Sequence, residues 1–208
     1  MRPTHVLPQL ILLLFINCTG APPKQERAPV ASVPDTSAAS SGDIVFRRGR
    51  DLIANMILAQ RDSSSFSHVG LLLKTSQRIH VVHAISADVT DPGAVVVEPF
   101  ADFFSPENAS AGTIYRLSGL SAPQARQMIS YALTRVGTPF DKDFSYTDNS
   151  SLYCTELVLK SIAAGGNSIR DQIRSVDILM IKEPVILPDH LMTDGHLTTV
   201  MDVIPVLK

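Results

Sequence analysis

The chain has 208 residues, with 18 Lys and Arg against 20 Asp and Glu and a formal net charge of −2. Such a balance offers no basic face for nucleic acid. A hydrophobic share of 45% without tryptophan fits one globular domain with a tail rather than a disordered or many-span membrane chain, and the lack of an internal repeat sets solenoids and propellers aside.

The apolar run Leu10 to Ile16 is too short to span a bilayer. It has the length of the hydrophobic region of an export signal, although Arg2 is the only charged side chain upstream. The run ends in Asn17-Cys18-Thr19-Gly20. A cysteine closing a short hydrophobic stretch resembles the lipobox of bacterial lipoproteins, with Asn17 where a small residue usually stands. Residues 1–20 are therefore expected to be an export signal, either of the lipoprotein type with Cys18 acylated, or simply cleaved, or retained as an anchor. The first case ties the protein to a membrane through Cys18 alone, and all three place it in the cell envelope or periplasm. Residues 21–41 are rich in Pro, Ala and Ser with almost no large apolar side chain. They cannot bury enough surface to offset their conformational entropy and read as a linker, so the folded domain is expected over 42–208.

Gly42 to Arg47 opens the domain as a turn and a short apolar strand. Leu52, Ile53, Met56 and Ile57 then recur at helical spacing, which predicts a helix from about Arg50 to Arg61. Phe66 to Leu73 and Arg78 to Ala84 flank a short polar turn and read as an antiparallel hairpin. Further strands are predicted at Ala94 to Pro99 and Gly112 to Leu117. Ser121 and Gln124 form a capping box with Pro123 in the first turn, and Ala125, Met128, Ile129, Ala132, Leu133 and Val136 trace one helix face before Gly137. A polar loop over 138–150 leads to a second helix, with Ser151 as its cap, Cys154 in its first turn and Gly165-Gly166 as its stop. Beyond it lie Ile178 to Ile181, a Pro188-Asp189 turn, and an apolar strand or coil near Thr199 to Val206. The pattern is α+β, a mainly antiparallel sheet flanked by helices.

Cys154 is where chemistry is most legible. Cys18 would be either acylated or removed with the signal, so Cys154 is expected to remain unpaired. At the start of a helix, unpaired N–H groups and the helix dipole favour thiolate. A buried cysteine is also an ordinary packing residue, and an acyl-transfer site needs an imidazole to take its proton and a polar group to orient that imidazole. Of six histidines, His5 falls in the signal, while His190 and His196 fall in a polar C-terminal segment where exposure is expected. His68 begins an apolar strand after the small Ser67, a place where a core histidine has little reason to be. His80 and His83 differ by an odd number of residues and point to opposite faces, which breaks a zinc trio with His68. Glu98 at a strand end and Glu156 beside Cys154 are candidate third members. No Gly-rich phosphate loop and no Gly-x-Ser-x-Gly elbow is present, and no cofactor or metal is called for.

In their order, Gly42-Asp43-Ile44-Val45-Phe46, Ser67-His68-Val69-Gly70-Leu71 and Tyr153-Cys154-Thr155-Glu156-Leu157-Val158 resemble the YiiX-like permuted papain-like cysteine amidases, relatives of the NlpC-type cell-wall peptidases. The resemblance spans about Gly42 to Ala164 and includes the permuted order, histidine strand before cysteine helix. It implies a permuted papain-like fold, Cys154 as nucleophile, His68 as general base and His83, in Val82-His83-Ala84, as the residue that orients it. The implied activity is hydrolysis of a peptide or acyl amide through a thioester, with cell-wall peptides as the natural substrate. Acyl transfer or ester cleavage on lipids would use the same residues, and a non-catalytic peptide- or lipid-binding cleft would leave Cys154 inert.

Overall fold

The protein is described by a computed structural model at residues 35–50, 54, 58–59, 65–86, 93–169, 173–178, 181, 183–192 and 195–204. The export signal expected at 1–20 lies outside these residues, as do the first part of the linker and most of the helix expected from Arg50 to Arg61.

Six strands form one antiparallel sheet: β1 (Ile44–Gly49), β2 (His68–Lys74), β3 (Ile79–Ile85), β4 (Ala94–Pro99), β5 (Ala109–Leu117) and β6 (Leu197–Ile204), in the order β4-β3-β2-β1-β5-β6. The β2–β3 hairpin pairs Leu71 with Val82 and Leu73 with His80. Among the described residues three complete α-helices accompany the sheet: α1 (Phe100–Phe103), α2 (Ala122–Thr134) and α3 (Cys154–Ala164). This is the expected α+β architecture.

Alternation of side chains along the strands divides the core in two. Ile44, Phe46, Val69, Leu71, Val82, Ala84 and Val95 pack against Met128, Ile129 and Ala132 of α2 and Leu157, Val158 and Ile162 of α3. The opposite face buries Val45, Leu72, Val81 and Ile114 beneath Phe100, Phe103 and Phe104. Of the α2 stripe read from the sequence, Leu133 and Val136 are exposed instead. Leu133 sits one residue, about 100°, beyond the buried Ala132, and Val136 follows the end of the helix, in the turn that Gly137 closes with φ 87°.

Residues 35–41, the end of the stretch read as linker, pack against this domain. Ala39 is buried, and the Lys74 ammonium donates to the carbonyls of Thr36 and Ala39 at 2.9 and 2.8 Å. Buried Asp43 accepts two hydrogen bonds from the Arg116 guanidinium, at 2.7 and 2.8 Å, and one from the Ser40 amide at 2.7 Å. A lysine capping carbonyls and a buried carboxylate supply the order that the apolar content of this segment could not.

Candidate active site

The helix that carries Cys154 begins later than its sequence suggests. Leu152 is drawn into a bridge with Phe140, donating its amide to the Pro139 carbonyl at 2.9 Å and accepting from the Asp141 amide at 3.2 Å. That pairing keeps Leu152 and Tyr153 out of the helix, so Tyr153, not Ser151, is the N-cap and Cys154 is the first helical residue. Glu156, at the third position, accepts from the Tyr153 amide at 3.2 Å and receives the Lys160 ammonium at 2.6 Å one turn on. It is fully buried, and burial raises its carboxyl to about 7 against the opposing pull of Lys160. Glu156 thus secures the backbone before the cysteine and makes no bond to a histidine among the described residues.

The thiol itself departs from the sequence expectation. Cys154 is unpaired, and burial pushes its pKa up, although the Thr155 hydroxyl and the amides of Val69, Thr155 and Cys154 pull the other way. Desolvation wins over the helix terminus. The nearby Val69 amide places the sulfur at the start of β2, one residue from His68.

His68, His83 and Glu98 are brought together. In register, Val81 faces Glu98 and His83 faces Val96 across β3 and β4, so Glu98 lies diagonally beside His83 on one face. His68 Nε2 is 2.8 Å from His83 Nδ1, and His83 Nε2 is 3.0 Å from a Glu98 carboxylate oxygen. The rings meet edge to face with centroids 5.0 Å apart, and both lie against Phe103. Arg47 closes the row. Its guanidinium stands 3.8 Å from the Glu98 carboxylate, donates to the Phe103 carbonyl at 3.0 Å and sits 4.4 Å above the Phe103 ring. Gly70 makes room for this arrangement, since a Cβ there would come within 2.9 Å of the His83 Cβ and 2.6 Å of Val81.

The same packing sets the charges. Burial, then the Arg47 charge, then His83 hold His68 well below its ordinary 6.5. Burial likewise lowers His83, with Glu98 opposing it. Partial burial works to raise Glu98, but the His83 hydrogen bond and the charges of His83 and Arg47 hold it below the usual carboxylate range. At neutral pH the row is therefore two neutral imidazoles, a carboxylate and a guanidinium.

Among the described residues no hydrogen bond joins Cys154 to His68. The histidine row lies on the Phe103 face of the sheet, and Cys154 belongs to the helix-side core; they converge at the first residues of β2. His80 takes no part in the row, as its alternation requires. His190, expected in solvent, is buried in a short 3-10 helix over Pro188–Met192, where its Nδ1 accepts from the Leu187 amide at 3.2 Å. The neighbouring Asp189 explains why that segment is ordered: it accepts from the amides of Ser65 and Phe66 at 2.7 and 3.0 Å, fixing the chain that leads into His68. Arg47 and Phe103 were not singled out in the sequence. The one signal for Arg47 was a charge at an alternate position of an apolar strand.

A family model described as a permuted papain-like amidase enzyme, of the YaeF/YiiX type and C92 family, matches residues 38–201, a span from the first turn of the domain into β6. The chain belongs to this family of permuted papain-like amidases. The uncharacterized protein YiiX of Escherichia coli K12 is 26% identical over 121 residues, which cover 58% of this chain and 55% of YiiX. This amidase-family chain thus aligns with about half the length of that relative. A crystal structure described as the metalloprotein YiiX of Escherichia coli O157:H7 shares its fold, with a TM-score of 0.64 at 22% identity, covering 80% of this chain and 98% of that one. In this chain no three or more His, Cys, Asp or Glu side chains among the described residues are grouped to hold a metal ion. His83 Nδ1 lies 2.8 Å from His68 Nε2, and its Nε2 lies 3.0 Å from Glu98, too close for a metal ion to sit between them, so this histidine row does not fit a metal site.

Proposed function

We propose that the protein is a cysteine-dependent amide hydrolase in which Cys154 is the nucleophile, His68 the general base and His83 the residue that orients it. The observation that carries this reading is the 2.8 Å bond between His68 and His83 at the start of β2, one residue before Val69, whose amide meets the Cys154 sulfur. Membership of an amidase family supports the reaction class.

Because burial raises the thiol and lowers the imidazole, the resting pair is neutral, and proton transfer accompanies attack. The sulfur bonds to the carbonyl carbon as His68 takes the thiol proton and the carbonyl π pair moves to oxygen. Amide N–H groups at the start of α3, which have no partner within the helix, are suited to that oxyanion. Collapse expels the amine, which leaves with the proton from His68, and a thioester remains. Water, deprotonated by His68, then attacks the thioester; the sulfur leaves and recovers its proton. In an unliganded site the thiol–imidazole bond is commonly long and tightens around substrate.

The substrate class this reading favours is a peptide of the cell wall, reached by export through residues 1–20, with Cys18 as a lipid anchor. Incubating the full chain with defined muropeptides and with phospholipids, and weighing the products, tests both reaction and substrate. Muropeptide cleavage, with a thioester trapped on Cys154 and lost in Cys154→Ala, is the expected result. Cleavage unchanged in Cys154→Ala and His68→Ala would overturn it.

A further inference from the structure

We propose that Glu98 is a positioning residue that fixes the proton on each of the two histidines, leaving Nδ1 of His68 as the nitrogen that accepts the thiol proton. The inference rests on the cysteine-amidase reading for its catalytic meaning, but its structural content follows from donors and acceptors alone.

A carboxylate only accepts hydrogen bonds. A Glu98 carboxylate oxygen stands 3.0 Å from His83 Nε2 as an ion-pair contact, where its negative charge repels a lone pair and attracts an N–H, so that nitrogen carries the proton. A neutral imidazole with Nε2–H has its lone pair at Nδ1. His83 Nδ1 therefore accepts, and the partner at 2.8 Å, His68 Nε2, donates. His68, neutral with its proton at Nε2, is left with its lone pair at Nδ1. The carboxylate thus sets the tautomer of a ring it does not touch, through one intervening imidazole.

The surroundings favour this single assignment. His83 is wholly buried, so no water competes for its nitrogens. Arg47, 3.8 Å from the carboxylate, keeps Glu98 ionised and opposes a second proton on either ring. The row also supplies what a bare histidine pair lacks. When His68 becomes an imidazolium during attack, its Nε2–H still points to His83, and the negative charge of Glu98 stands one ring away.

The decisive measurement is imidazole 15N NMR on the full chain at neutral pH, assigned with His68→Ala and His83→Ala. Protonated Nε2 and bare Nδ1 on both His68 and His83 is the expected pattern. A proton on Nδ1 of His83 would overturn the proposal whatever the activity. In Glu98→Ala both rings should show mixed tautomers, and kcat should fall about 10- to 100-fold, the usual loss on removing an outer orienting partner, with KM little changed. Unchanged tautomers and unchanged kcat in a folded Glu98→Ala would overturn the role of Glu98 while leaving Cys154 and His68 catalytic. Activity that ignores Cys154→Ala and His68→Ala instead removes the catalytic reading, and the nitrogen spectra still decide the tautomers. If Glu98→Ala does not fold, the wild-type spectra decide alone.

Discussion

Gly70 and His83 lie side by side on one face of β2 and β3, so closely that a Cβ on residue 70 would sit 2.9 Å from the Cβ of His83 and 2.6 Å from a methyl of Val81. Both contacts are tighter than real side chains tolerate, and the obstructing atoms belong to a buried strand. Gly70→Ala must therefore push β3 away from β2. Overpacking of this kind costs about 1–3 kcal/mol, read as a lower midpoint in thermal or urea unfolding. The larger effect is expected on catalysis, because the displaced residue is the one that holds His68. We expect amide hydrolysis to fall at least tenfold in protein that is still folded.

Burial and Arg47 hold His68 well below 6.5, and burial lowers His83. Two consequences share one sign. The unfolded chain takes up protons near pH 6.5 while the native chain does not, so stability contributed by these rings is present above that pH and is lost as the pH falls toward the folded values. Urea midpoints should therefore decline below pH 6.5, and less so in His68→Phe. His68, the proposed general base, stays unprotonated over the same range, so the acid limb of kcat/KM should lie below 6.5. An acid limb at or above 7 would contradict a buried His68.

Much of the site was legible because three short motifs sit on regular elements whose geometry is strict. Strand alternation alone separated His80 from His83, and the small Ser67 before His68 marked a histidine out of place in an apolar strand. What escaped depended on register and depth. Glu98 was a candidate third member, but its place beside His83 needs the pairing of Val81 with Glu98, which no local pattern encodes. Arg47 drew no reading from the sequence, because its role depends on Phe103 lying under its guanidinium. The thiol was misread for a related reason: a helix terminus argues for thiolate, and only the depth of Cys154 shows that desolvation is larger. His190 and residues 35–41 were placed in solvent by composition, yet a backbone amide, a lysine and a buried aspartate hold them.

Arg47 bears on the site through charge. It ion-pairs with Glu98, caps the Phe103 carbonyl and covers the Phe103 ring. Arg47→Met keeps much of the volume and removes the charge that opposes protonation of both histidines. The acid limb of kcat/KM should move to higher pH, since His68 becomes easier to protonate. Breaking a buried pair by removing one partner costs about 3–5 kcal/mol; the half-buried Glu98 places this case at or below the lower end. Calorimetry and a pH–rate profile on the same variant check the two effects separately, and an acid limb that stays in place would show that Arg47 only packs.

Glu156 gives the opposite dependence. Its carboxyl is raised to about 7 in the folded protein from an ordinary 4.5, chiefly by burial. Between those values the native state holds a proton that the unfolded chain has released, so stability falls as pH rises through the window and levels off above about 7. One proton sets the ceiling on that slope at about 1.4 kcal/mol per pH unit. The groups that act on Glu156 are Lys160 and the Tyr153 amide, which favour its ionised form, and Asp141, which opposes it. Glu156→Gln keeps an acceptor for the Tyr153 amide and has no proton to lose, so the decline between pH 4.5 and 7 should shrink in this variant. Because the same carboxylate secures the residue before Cys154, Glu156→Ala should cost activity that Glu156→Gln largely restores. Urea unfolding across pH 4.5 to 8, with rates measured at pH 8, separates the charge of Glu156 from its hold on the N-cap: equal rates for the Gln and Ala variants would deny it that second role.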